Sequence, residues 1–101
     1  MNMFGKLNEM KQMMEEVKNR LESITVVGEA ESGAVKVYAN GNRKINSVSI
    51  SDSLMETSDK EQLEELLAVA INRALEQAEA VSESEMRASV GGFLPDIPGL
   101  T

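Results

Sequence analysis

The side chains of this chain best suited to act on another molecule are its cations. Lys6, Lys11, Lys18 and Arg20 recur through the first twenty residues, and Arg43 and Lys44 stand side by side further on. Such groups neutralise phosphate oxygens, so their spacing suits a polyanion. Chemistry of other kinds finds little material. The chain has no His and no Cys, which removes the usual nucleophile and base pairings, thiol or imidazole zinc ligation and any disulfide. Glu61 with Glu65, or Asp52 with Glu56, are the carboxylate pairs that acid/base or Mg²⁺ chemistry would require. Acidic residues at that spacing are ordinary on a solvated helix face, so no catalytic or metal residue is assigned and no cofactor is expected. Phosphate-loop, dinucleotide and nucleophile-elbow glycine patterns are absent, and Gly28 and Gly33 read as strand-end and turn residues.

The elements that must carry the cations follow from periodicity. Apolar residues fall at Met3, Leu7, Met10, Met14, Val17, Leu21 and Ile24, in alternating steps of four and three. That is a heptad seam on one amphipathic helix, and it places Lys6 and Arg20 at g and Lys11 and Lys18 at e. The basic residues therefore flank an apolar packing or dimer seam. At such positions the same side chains also serve interhelical pairing, or cover the seam with their aliphatic stems.

A β-hairpin comes next. Val35, Val37 and Ala39 alternate with Lys36 and Tyr38, Asn40-Gly41 supplies residues that tolerate positive φ, and Val48 and Ile50 resume the alternation. Ile45 is out of step with Val48, which predicts a turn longer than two residues or a bulge, with Arg43 and Lys44 near its tip. Thr25 to Ala30, before the Glu31-Ser-Gly33 turn, reads as a further strand, so the sheet is a three-stranded antiparallel meander.

Ser58 with Glu61 has the form of a capping box and starts a second long helix. Its stripe of Leu63, Leu66, Leu67, Ala70, Ile71, Ala74, Ala78 and Val81 is wide enough to cover a sheet face, and Glu61, Glu64, Glu65, Glu76 and Glu79 line the other side. The pattern dissolves between Ser82 and Ser89. The expected organisation is one domain over residues 1–90 and a Gly/Pro-punctuated tail over 91–101, in which Phe93, Leu94, Ile97 and Leu100 either pack on a neighbour or stay mobile.

The order helix, three strands, helix, together with Val35-Lys-Val37-Tyr-Ala-Asn40-Gly41 and Leu63-Glu-Glu-Leu-Leu-Ala-Val-Ala-Ile-Asn72-Arg-Ala74, resembles the YbaB/EbfC family of bacterial nucleoid-associated proteins. The resemblance covers most of the chain. It implies a two-layer α+β protomer, α-β-β-β-α, forming a tweezer-shaped homodimer that binds double-stranded DNA with limited sequence preference. The seam argues separately for self-association, because one helix cannot bury it and also cover a sheet without another layer.

Charge constrains that expectation. The net charge is −7, yet residues 1–50 hold seven cations and six carboxylates while residues 51–101 hold three and eleven. Screening over roughly 8 Å at physiological salt lets a basic stripe act when acid lies farther away than that, so phosphate contact is assigned to the first half. The DNA-binding candidates are Lys6, Lys11, Lys18, Arg20, Arg43 and Lys44. Arg73, on the acidic helix, is left to intrahelical pairing. Tyr38 is the only tyrosine and Trp is absent, which disfavours single-strand stacking and favours duplex phosphate contact. No apolar run is of membrane-spanning length, and the expected location is the cytoplasm, at the nucleoid. The alternative is a dimeric protein-interaction module that uses the Met-rich seam or the tail, with DNA association weak or indirect.

Overall fold

The structure is a computed structural model that describes residues 3–90, with side chains from residue 5 to residue 89. The expected tail, 91–101, and the side chain of Met3 lie outside the described residues. In chain order the elements are α1 (Met3–Ser23), β1 (Thr25–Ala30), β2 (Val35–Asn40), β3 (Ile45–Ile50), α2 (Asp52–Thr57) and α3 (Lys60–Val90). The strands form one antiparallel sheet in the order β1-β2-β3, so the α+β reading holds, with α2 as an addition.

That addition changes the helix start. Ser51 caps α2, its hydroxyl accepting from Leu54 N–H at 3.1 Å, and the Ser58 N–H closes the other end on the Leu54 carbonyl at 2.9 Å. Ser58 is thus spent as a C-cap, and the expected Ser58/Glu61 capping box does not start the long helix. Asp59 does, accepting from Gln62 N–H through Oδ1 at 2.7 Å. At its other end α3 runs unbroken through the Ser82 to Ser89 stretch where the pattern was expected to dissolve. Glu, Met, Arg and Ala there are good helix formers, and no Gly or Pro intervenes before Gly91.

Turn chemistry also differs from the expectation. In the β2–β3 turn the residue with left-handed backbone is Arg43 (φ 64°), and neither Asn40 nor Gly41 has positive φ. Asn40 instead accepts through Oδ1 from the N–H groups of Asn42 (2.9 Å) and Lys44 (3.2 Å), which organises the turn from its base. Gly41 is required for proximity. A Cβ there would lie 2.7 Å from Leu21 Cδ2, and its N–H donates to the Leu21 carbonyl at 2.8 Å. The register shifts between Tyr38 and Ala39, so Asn46 is the extra residue and Ile45 pairs with Ala39. The bulge returns Ile45 to the face of Val48 and Ile50, which resolves the parity mismatch.

The core lies between that sheet face and α3. Val35, Val37 and Ala39 are buried with Ala30, Leu54, Ala70 and Ala74, and Leu63, Leu66, Leu67 and Ile71 pack around them. Gly28 is a mid-strand residue, not the strand end expected. A Cβ there would collide with the backbone at Ala70 and Ala74, so the glycine and the two alanines let α3 approach β1 backbone to backbone.

Candidate nucleic-acid interface

Lys6, Lys11 and Lys18 are exposed on α1, as are Arg43 and Lys44 on the β2–β3 turn. Helical spacing divides the first three. At about 100° per residue Lys11 and Lys18 fall within about 20° of one another and roughly 10 Å apart along the axis, whereas Lys6 is turned away by about 140°. Lys11 and Lys18 line one groove with Leu7, Met10, Met14 and Glu15.

Asn42, which was not singled out from sequence, attaches the turn to this helix. Its Nδ2 donates to the Lys18 carbonyl at 3.0 Å, and Gly41 is held on the Leu21 carbonyl. The fold therefore holds the turn that carries Arg43 and Lys44 against the C-terminal half of α1. Asn in a turn was the available signal, but its partner 24 residues away was not legible.

Arg20 is differently employed. Its Nε pairs with Glu85 Oε2 at 3.2 Å and its Nη2 donates to Ser89 Oγ at 2.6 Å, clamping α1 to α3. Arg73 makes no intrahelical pair of the kind expected; its Nη1 donates to the Glu29 carbonyl at 2.7 Å and ties α3 to the edge of β1. Lys36 lies over Glu29 on the outer sheet face, 3.9 Å from its carboxylate.

Acid is closer to the cations than the sequence argument required. Glu15 shares the Lys11 and Lys18 groove, and Glu76 and Glu79 line a shallow depression with Arg43, Asn72 and Leu75. Among the described residues no group of three or more carboxylates is placed to hold a metal ion, and no helix is long and apolar enough to cross a membrane.

The heptad seam is divided. Val17 and Leu21 are 2% and 3% exposed within the single chain, while Leu7, Met10 and Met14 remain 58%, 45% and 47% exposed. Its C-terminal half is packing within the protomer, and its N-terminal half is an uncovered apolar stripe. A second apolar surface lies on β3, where Ile45 and Val48 are 38% and 45% exposed although they share the inner sheet face.

Comparison with known proteins agrees with this architecture. The chain is 42% identical over 100 residues to a nucleoid-associated protein of Flavobacterium johnsoniae, covering 99% of this chain and 92% of that one. It is 38% identical over 102 residues to a nucleoid-associated protein of Caldanaerobacter subterraneus subsp. tengcongensis, covering 98% and 90%. The crystal structure of an uncharacterized protein from Helicobacter pylori superimposes with a TM-score of 0.65 over 87% of this chain and 98% of that one at 24% identity, a likeness of fold. The model of the YbaB/EbfC DNA-binding family matches residues 1–93, and the chain belongs to that family.

Proposed function

We propose that this protein is a non-enzymatic, nucleoid-associated DNA-binding protein that works as a homodimer, docking Lys11, Lys18, Arg43 and Lys44 on the backbone of a duplex. The observation that carries the reading is the attachment of the β2–β3 turn to α1 through Asn42 and Gly41, which fixes the turn bearing Arg43 and Lys44 to the helix bearing Lys11 and Lys18. Lys6 extends the site around the helix and contributes less. Arg20 acts as a positioning residue, holding α1 against α3.

The homodimer forms through β3. This edge strand offers an unpaired backbone edge and the exposed Ile45 and Val48 face, and a second β3 across a two-fold axis satisfies both. Two cation sets then flank one duplex. Recognition rests on phosphate, so sequence preference is weak and binding takes place at the nucleoid in the cytoplasm.

The test is binding to a labelled duplex of about 30 base pairs across a salt series, a length well beyond the site of a small dimer. For about six phosphates contacted by a dimer, log K against log salt has a slope near −5. Changing both Lys11 and Lys18 to Glu is expected to abolish binding while the dimer persists. Unchanged affinity would overturn the residue assignment, and a dimer that binds no duplex even at low salt would favour a protein-partner role.

A further inference from the structure

We propose that the uncovered stripe of α1, formed by Leu7, Met10 and Met14, is the docking surface for the C-terminal segment of the same chain, residues 91–101. The stripe continues the seam that Val17 and Leu21 bury, yet nothing within the described residues covers it. The chain is delivered to it. Arg73 on the Glu29 carbonyl, Ala70 and Ala74 against Gly28, and Glu85 and Ser89 on Arg20 show α3 running antiparallel to the chain path from α1 into β1. The C-terminal end of α3 therefore lies beside Arg20, with the helix axis directed towards the N-terminus of α1.

Distances along the two segments match. Met14 lies about 9 Å from Arg20 along the α1 axis and Leu7 a further 10 Å or so. Pro95 and Pro98 exclude helix and favour a polyproline II path of about 3.1 Å per residue. Leu94 is then about 12 Å beyond Val90 and Ile97 about 9 Å beyond Leu94, the spacing needed to rest on Met14 and Leu7 in turn. Leu94, Ile97 and Leu100 recur every third residue, which is one face of a three-residue-per-turn helix. Charge fits as well, since Asp96 is the only charged side chain of residues 91–101 and the groove sets two cations, Lys11 and Lys18, against one carboxylate, Glu15.

This docking uses the groove that carries Lys11 and Lys18, two residues of the proposed DNA site, and it is tested without DNA. The chain has no Cys, so a Met14→Cys, Leu94→Cys variant carries one possible disulfide pair within a chain. Mild oxidation is expected to give a cross-link within one chain, seen as a compact monomer on a non-reducing gel. A cross-link between chains would assign the stripe to a second copy, and no cross-link would remove the docking; either result overturns the proposal. Peroxide oxidation read by mass spectrometry supplies a second measurement on the unmodified chain, with Met55 on α2, 55% exposed, as the internal reference. Met10 and Met14 are expected to oxidise about threefold or more slowly than Met55, and Leu94→Asp with Ile97→Asp to remove that protection without altering Met55. Equal rates in the two proteins would refute it.

Discussion

Arg43 combines two properties that seldom coincide. It has left-handed backbone, which costs a non-glycine residue about 1 kcal/mol, and its guanidinium is exposed at the tip of the turn that Asn42 attaches to α1. A turn selected for stability alone would carry Gly or Asn there. Arg43→Gly is therefore expected to raise thermal stability, by about 4–8 °C for a chain of this size, while weakening duplex binding. Thermal unfolding followed by circular dichroism and a duplex titration on the same sample check both signs. A loss of stability would mean that the Arg43 side chain supports the fold through the depression it shares with Glu76 and Glu79. From sequence the basic pair at the tip was legible, but which residue carries the strain was not. Asn40-Gly41 has the composition of a two-residue turn, and only the hydrogen bonds to Asn40 Oδ1 and the approach of Leu21 to Gly41 moved the positive φ to Arg43.

Among the elements, the packing of α3 on β1 decides the architecture. Contact through Gly28, Ala70 and Ala74 leaves no room for a side chain between helix and strand. Gly28→Ala is expected to destabilise the fold by about 3 kcal/mol, because the added methyl meets backbone that cannot rotate away. Chemical denaturation checks the magnitude, and a change below about 1 kcal/mol would show that α3 can lift off the strand. The alanine stripe of α3 was legible as a helical period. Its partner was not, since a glycine within a strand reads equally as a strand end, a bulge or a close approach. The small helix α2 escaped sequence reading because six residues with one buried apolar side chain, Leu54, offer no period to detect.

The whole molecule is elongated. Its radius of gyration is 18.8 Å and its extents are 66 × 28 × 17 Å, where a compact chain of this length would have a radius near 13 Å. Two helices reach beyond a small sheet, which leaves more surface uncovered than one protomer can bury and favours a second copy. The exposed inner face of β3 is the surface that α3 leaves open as it crosses β1 and β2. Val48→Glu is accordingly expected to yield a folded monomer by light scattering, with duplex affinity reduced because the second cation set is lost. A dimer that survives this change would place the interface elsewhere.

Local chemistry written in the order of residues was enough to determine several features of this protein: the α+β class, the three-stranded meander, the break in parity before β3, the faces of the long helices, and the concentration of cations in the first half. Each depends on periodicity or charge within a few residues, which the chain displays directly. Tertiary structure alone decided which cations are paired within the protomer and which stay exposed. Arg20 and Lys18 stand two residues apart, yet one is clamped to Glu85 and Ser89 and the other stays exposed beside the turn that Asn42 attaches. The seam likewise read as continuous, and folding divided it into buried Val17 and Leu21 and uncovered Leu7, Met10 and Met14. The physical reason is the same in both cases. A residue's type sets what it is able to bind, but its partner is set by which distant element lies against it, and that is a property of packing.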